Sequence, residues 1–230
     1  MTDLDKPVAY GQHRFRSPQH ATEILLVRHG ATQAFVPGED FPMLGDQGDP
    51  PLSEEGKEQA EKVCARLAWE HIDAVYVTRL QRTAQTAAPL LAQIGLGAEV
   101  SPHLHEIHFG DWEGGLARKK MAELTDPAAI AARRSGTWDS VPGAERWDGF
   151  TARITKGLLE IAESNRGRNV VVFAHGVTIG AAARTLVGAN RRLGTVENCS
   201  ITHLIHMDDE WSLRSFNDSA HLMSLFTRRG

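Results

Sequence analysis

Four stretches of this 230-residue chain carry side chains able to handle an anionic group. Arg28-His29-Gly30 follows the apolar run Ile24-Leu25-Leu26-Val27, and His175-Gly176 follows Val170-Val171-Val172-Phe173-Ala174. Both runs are short, branched and without period-two polarity, so each reads as a strand covered on both faces. In open α/β sheets ligands collect beyond the carboxyl ends of the strands, and a glycine there lets the backbone approach an anion closely. A histidine in that place is positioned as a nucleophile, beside an arginine as fixed positive charge. Arg82 lies in the first turns of a helix that follows the strand Ala74-Val75-Tyr76-Val77. A guanidinium there binds a phosphate bidentately next to the positive pole of the helix, whereas Arg79 reads as solvent-facing. The fourth stretch, residues 102–114, sets Glu106 among His103, His105 and His108 and ends in a glycine-punctuated loop; such a concentration of titratable groups marks a candidate site.

The elements that must hold these groups follow from periodicity. Ser53 caps a helix with Glu54 and Glu55 in its first turn and Ala60, Val63, Cys64, Leu67 and Ala68 on its inner face. In the helix after Val77, the core-facing stripe is expected at Leu80, Thr83, Ala84 and Ala87, with Arg82, Gln85 and Thr86 on another face. His103 and His105 are expected on one face of a short extended segment, with Glu106 on the other. Residues 116–138 are Ala-rich and helical, placed to cover the site, and carry Arg118, Lys119, Lys120, Arg133 and Arg134, cations that could attract an anionic substrate but whose commoner role is on a solvated helix face. Val141-Pro142-Gly143-Ala144-Glu145 turns into a helix with Phe150, Ile154, Leu158 and Ile161 inside. Residues 177–187 are apolar almost all round and predict a buried helix whose N-terminus points at the same sheet edge. Residues 201–206 and 211–216 make an antiparallel pair. The Gly- and Pro-rich loop 31–51 is long enough to line a site mouth. The alternation gives an α/β domain spanning 23–230, with 1–22 as a loosely docked extension.

Composition narrows the function classes. With 41% hydrophobic and 23% charged residues the chain is an ordinary globular one, and its net charge of −4 argues against a nucleic-acid or anionic-membrane surface. No apolar run reaches membrane-spanning length and the first 22 residues hold no signal-like core, which predicts a cytoplasmic protein. Cys64 and Cys199 make no disulfide framework and neither has an arginine six residues on, so both read as buried thiols. Asn198-Cys199-Ser200 matches the glycosylation sequon by coincidence. Neither a G-x-S-x-G elbow nor a P-loop occurs.

His103, His105 and His108 have the H-x-H-x-x-H spacing of metallo-β-lactamase-like zinc hydrolases, but Ile107 stands where those enzymes carry an aspartate ligand. The ordered set of motifs instead resembles the histidine phosphatase superfamily, in its phosphoglycerate-mutase-like branch. The likeness is carried by Leu26-Val27-Arg28-His29-Gly30-Ala31-Thr32, by Pro51-Leu52-Ser53-Glu54-Glu55-Gly56 with Gln59-Ala60, and by Leu80-Gln81-Arg82-Thr83-Ala84-Gln85-Thr86. It continues through Glu106-Ile107-His108-Phe109-Gly110-Asp111-Trp112-Glu113-Gly114, Pro142-Gly143-Ala144-Glu145, Ala174-His175-Gly176 and Phe216-Asn217-Asp218.

That resemblance implies a three-layer α/β sandwich, its sheet mixed but mainly parallel, with helices on both faces. It makes His29 a nucleophile that becomes phosphohistidine and Arg28, Arg82, His29 and His175 a phosphate pocket. Glu106 would be acid for the leaving alcohol and base for water. It implies a histidine (acid) phosphatase acting on a small phosphorylated molecule without metal or cofactor, and is compatible with a homodimer. Two positions depart from the pattern: Ala31 replaces a common glutamate, and Phe35 replaces an asparagine that often holds phosphate, with Gln33 the nearest substitute. The segment between Glu106 and His175 is shorter than in the cofactor-dependent mutases, which close the site against water, and this favours hydrolysis over transfer. The alternatives are such a phosphoglycerate mutase and a non-catalytic relative that binds phosphorylated ligands.

Overall fold

The computed structural model describes residues 11–12, 15–189 and 193–222. In chain order the elements begin with β1 (Thr22–Arg28), β2 (Met43–Leu44), β3 (Gln47–Gly48), α1 (Glu54–Leu67), β4 (Ala74–Val77), α2 (Gln81–Ile94) and β5 (Ala98–Val100). A 3₁₀ segment (Gly110–Gly115) follows, then α3 (Leu116–Glu123), α4 (Pro127–Ser135), α5 (Trp147–Ser164), β6 (Asn169–Ala174), α6 (Gly176–Leu186), β7 (Ile201–Met207) and β8 (Glu210–Asp218). The main sheet runs β5-β4-β6-β1-β7-β8. Its first four strands are parallel, while β7 and β8 are antiparallel to their inner neighbours.

Both apolar runs that end in histidine lie at the centre of this sheet, and the alternation of their side chains divides the core. Ile24, Leu26, Val170 and Val172 pack with Ile154, Leu158 and Ile161 of α5 and Ile179 of α6. Val27, Val75, Val77, Val171 and Phe173 meet Val63 and Leu67 of α1 and Ala87 and Leu90 of α2 on the other face. This is the three-layer sandwich with helices on both faces. A smaller cluster joins the 3₁₀ segment, α3 and α4 through Trp112, Ala117 and Ala129 above the strand ends. Among the described residues no helix is long and apolar enough to cross a membrane.

The Ser53 side chain caps α1 by accepting from the Gly56 amide, as its position predicts. Gly56 itself is required by packing: a Cβ there would lie 1.9 Å from the Ala31 carbonyl oxygen, in the loop that follows His29. One expected position differs: Leu80, the extended residue before α2, and Thr83 and Ala87 are buried as the stripe predicts, but Ala84 is exposed and the buried face is completed by Arg82, Thr86 and Leu90. Residues 101–109 are irregular rather than extended, because pairing along the sheet edge stops with β5 at Val100. Thr22, assigned to the N-terminal extension, belongs to β1; residues 1–10 of that extension lie outside the described residues.

Candidate active site

In-register parallel pairing brings the two histidines together. Arg28 pairs with Ala174, so His29 and His175 leave adjacent strands at the same level, and the His29 amide donates to the Ala174 carbonyl at 3.0 Å. Their ring centroids are 5.3 Å apart. His29 is only 7% exposed, and its Nδ1 lies 2.7 Å from the Gly30 carbonyl oxygen, which can only accept; Nδ1 therefore carries the proton and Nε2 the lone pair. Burial first, then the nearby Arg82 and Arg28 charges, push the His29 pKa well below its ordinary value and keep the ring neutral. The Gly30 amide donates to Thr86 Oγ1, and Asn198 Nδ2 donates to the His29 carbonyl oxygen, so the turn is fixed on both sides. Asn198 thus faces the site backbone rather than serving as a glycosylation acceptor.

His175 is fully buried at the start of α6, with its pKa likewise driven well down, by burial and then by Arg82. Its Nε2 sits 2.9 Å from Thr78 Oγ1, at the carboxyl end of β4, while its Nδ1 has no partner among the described residues. Arg28 donates through Nη1 to the Val196 carbonyl at 2.6 Å, and among the described residues its buried Nε is also without a partner. Gly176 packs over this guanidinium so closely that a Cβ there would lie 3.2 Å from Nε. Arg82, 7% exposed, donates to the Gly48 carbonyl at 3.1 Å and lies 3.6 Å from Asp49.

Glu106, 8% exposed, is held by donors converging from its own loop and from the N-terminus of α6. Oε1 accepts from the Ile107 and Thr178 amides and from Thr178 Oγ1, and Oε2 from the Val177 amide, all at 3.1 Å. The loop that carries it is clamped from behind. Arg153 forks onto Glu145 at 2.7 and 2.8 Å and donates to the carbonyls of His103, His105 and Glu106. Gln47 adds a bond to the same Glu106 carbonyl.

The three neighbouring histidines diverge instead of clustering. His103 approaches Glu160, His105 bonds the Pro102 carbonyl, and His108 bonds the Asp46 carbonyl through one nitrogen while its other accepts from the Gly110 amide. Among the described residues no group of three His, Cys, Asp or Glu side chains is placed to hold a metal ion.

A cleft of about 410 Å³ is lined by Arg28, His29, Arg82 and Glu106, so the structure brings together candidate residues from separate segments of the chain. It also adds one. Arg118, on α3, reaches the cleft, donates to Thr32 Oγ1 and to the Gln33 carbonyl, and stacks 4.7 Å over the Phe41 ring. Burial, then the Arg82 and Arg28 charges, lower its pKa to about 10, and all three arginines line the same cleft. Gln33 does not replace the missing asparagine: it is exposed, and only its backbone is engaged. Phe35 packs edge-on to Phe41 and against Gly115, so that corner is aromatic and the additional positive charge comes from Arg118.

The family model of the histidine phosphatase superfamily (branch 1) matches residues 24–219. The chain belongs to that superfamily. Over 216 residues it is 34% identical to a metal-independent phosphoserine phosphatase of Arabidopsis thaliana, covering 91% of this chain and 87% of the relative. The native structure of a mycobacterial glucosyl-3-phosphoglycerate phosphatase superposes with a TM-score of 0.72 at 30% identity, covering 86% of this chain and all of that one. A phosphoglycerate mutase from Bacillus anthracis gives a TM-score of 0.68 at 26% identity, over 88% and 95% of the two chains. The mixed, mainly parallel sheet is thus the phosphoglycerate-mutase-like fold.

Proposed function

We propose that this chain is a metal-independent phosphomonoesterase that works through a phosphohistidine on His29, in one catalytic domain that begins with β1. The observation that carries the reading is the state of His29: a neutral ring, its Nδ1 proton tied to the Gly30 carbonyl and its Nε2 lone pair left for attack, in a cleft with Arg28, Arg82 and Arg118. The relatives support hydrolysis, since the Arabidopsis and mycobacterial proteins are both described as phosphatases.

In the first step Nε2 bonds to phosphorus as the ester P–O bond breaks, and the Glu106 carboxyl gives its proton to the departing alkoxide. In the second, water attacks the phosphorus, Glu106 takes its proton, and the N–P bond breaks to release phosphate. Charge on the equatorial oxygens is met by side chains fixed before the reaction begins. Buried polar atoms without partners are rare, and two of those among the described residues, Arg28 Nε and His175 Nδ1, lie on the neighbouring strand ends of this site. In the tautomer whose Nε2 accepts from the Thr78 hydroxyl, His175 Nδ1 carries a proton, and a phosphoryl group would satisfy both this donor and Arg28 Nε.

The test is hydrolysis of nitrophenyl phosphate and a panel of alkyl phosphomonoesters in the presence of a chelator. Turnover by the parent, abolished in a folded His29→Ala variant, is expected. Activity that disappears on chelation and returns with zinc would overturn it, as would conversion of 3-phosphoglycerate to 2-phosphoglycerate in preference to release of phosphate.

A further inference from the structure

Beyond its arginines the cleft becomes apolar, and we propose that it selects phosphomonoesters of bulky apolar or aromatic alcohols over those of small zwitterionic or polyhydroxy ones. The inference rests on the phosphatase reading and names its substrate class. The wall is built from Phe41, Phe109, Trp112, Met121, Trp138 and Trp147. Phe109 and Trp138 meet edge to face at 4.5 Å, and Trp112 and Trp138 at 6.5 Å. Phe109 and Trp138 pack against both the main core and the cluster above the strand ends, and Trp147 packs on Phe150, so this surface is fixed before a ligand arrives. About 410 Å³ is a volume that encloses a drug-sized molecule, and a phosphoryl group bound at His29 would fill only one end of it.

The polar groups agree with this assignment. The acidic side chains among the described lining residues are Glu106 and Glu113. Glu106 accepts the four donors already described, and Glu113 accepts from the Phe109 and Gly48 amides, each at 2.8 Å. The ammonium of an amino-acid phosphate would be stripped of water in this cleft, Glu113 already accepts from two amides, and the lone pair left on Glu106 Oε2 is needed for proton transfer. Arg133 and Arg184 also line the cleft, which makes an alcohol carrying its own carboxylate the competing class.

The experiment compares kcat/KM for ethyl, butyl, hexyl and 3-phenylpropyl phosphates with that for phosphoserine and 3-phosphoglycerate. The four alkanols are comparably poor leaving groups, so the series reports burial rather than bond cleavage. Each buried methylene should raise kcat/KM by roughly four-fold until the wall is covered, and the longer esters should surpass both polar substrates. Methyl-, butyl- and hexylphosphonate, which cannot be hydrolysed, give an independent reading by quenching of the cleft tryptophans: affinity should rise along the same series. In Met121→Glu, checked for folding by its thermal melt, both slopes should fall.

A flat series, or faster turnover of phosphoserine or 3-phosphoglycerate than of hexyl phosphate, overturns the selectivity and leaves the phosphatase reading standing. If no ester is hydrolysed, the phosphatase reading fails and the phosphonates decide the wall: affinity that rises with chain length supports an apolar ligand, and affinity that does not overturns it.

Discussion

Replacing His29 with asparagine should flatten the dependence of stability on pH by an amount set by the burial of the ring. In the folded chain His29 and His175 are held neutral by burial and by the guanidinium groups around them. In the unfolded chain each takes up a proton as pH falls through about 6.5. The unfolded state therefore binds more protons in acid, so this contribution to stability is fully present above pH 6.5 and is lost as pH falls below it. Between pH 7.5 and 5.5, a ring that stays neutral when folded removes roughly 1.4 kcal/mol, and the two together roughly 2.7 kcal/mol.

His105, lowered to about 4, and His203 and His221, also lowered chiefly by burial, act in the same direction, so the total acid sensitivity of the parent exceeds the share of this pair. The informative quantity is thus the difference between parent and variant, from urea unfolding of each at both pH values. His29→Asn, whatever its stability at pH 7.5, should lose roughly 1.4 kcal/mol less than the parent on acidification. Equal losses would mean that His29 takes up a proton freely in the folded chain, and an imidazole protonated on both nitrogens is no nucleophile.

Arg118→Ala removes a guanidinium converging with Arg28 and Arg82; inhibition by inorganic phosphate should weaken by roughly ten- to a hundred-fold, measured as Ki, and an unchanged Ki would place Arg118 outside the pocket. Glu106→Gln should slow phosphoenzyme formation from an alkyl phosphate by roughly 10²–10⁴-fold while slowing nitrophenyl phosphate far less. Rapid-quench single turnovers measure this, and equal losses for the two substrates would remove Glu106 as the proton donor. Gly56→Ala should fold poorly or not at all, because its Cβ would overlap the Ala31 carbonyl oxygen, whereas Gly149→Ala, on α5 with open space around the added carbon, should raise stability by up to about 1 kcal/mol. Thermal melts of the pair test the packing of α1 against the loop after His29.

The parts of the site legible in the sequence are those fixed by local pattern and simple topology. The apolar runs before His29 and His175 mark buried central strands, and once two such strands pair in parallel their carboxyl ends must present their histidines together. Ser53, followed by Glu54 and Glu55 and the apolar i, i+3, i+4 rhythm, marks α1 without ambiguity. Arg118 was legible only as one of five cations that could attract an anionic substrate. It stands beside Lys119 and Lys120 in a helix rich in cations, and Lys119 and Lys120 pair with Glu123 and Asp126. Only the packing of α3 against Thr32 and Phe41 distinguishes the three. Phe35 was a signal that a polar phosphate contact is absent from its usual place, but a substitution says nothing of where the replacement enters. Arg153 escaped notice for the same reason: its fork onto Glu145 and its hold on the loop of Glu106 join segments that no local spacing relates. Ala84 shows the reverse case: Thr83 and Ala87 face the core as the period requires, but the buried face runs on through Thr86 and Leu90 rather than through Ala84.

In the proposed reaction His29 carries the phosphoryl group between substrate and water. Mixing the enzyme with a phosphomonoester labelled in its phosphoryl group, quenching in alkali within one turnover, and digesting without acid exposure would locate the label. An acid-labile, alkali-stable phosphoryl group is expected on the peptide containing Arg28-His29-Gly30, formed and lost at rates compatible with kcat and absent from His29→Ala. Label on another residue, or turnover at the normal rate with no labelled protein at any time, would contradict it.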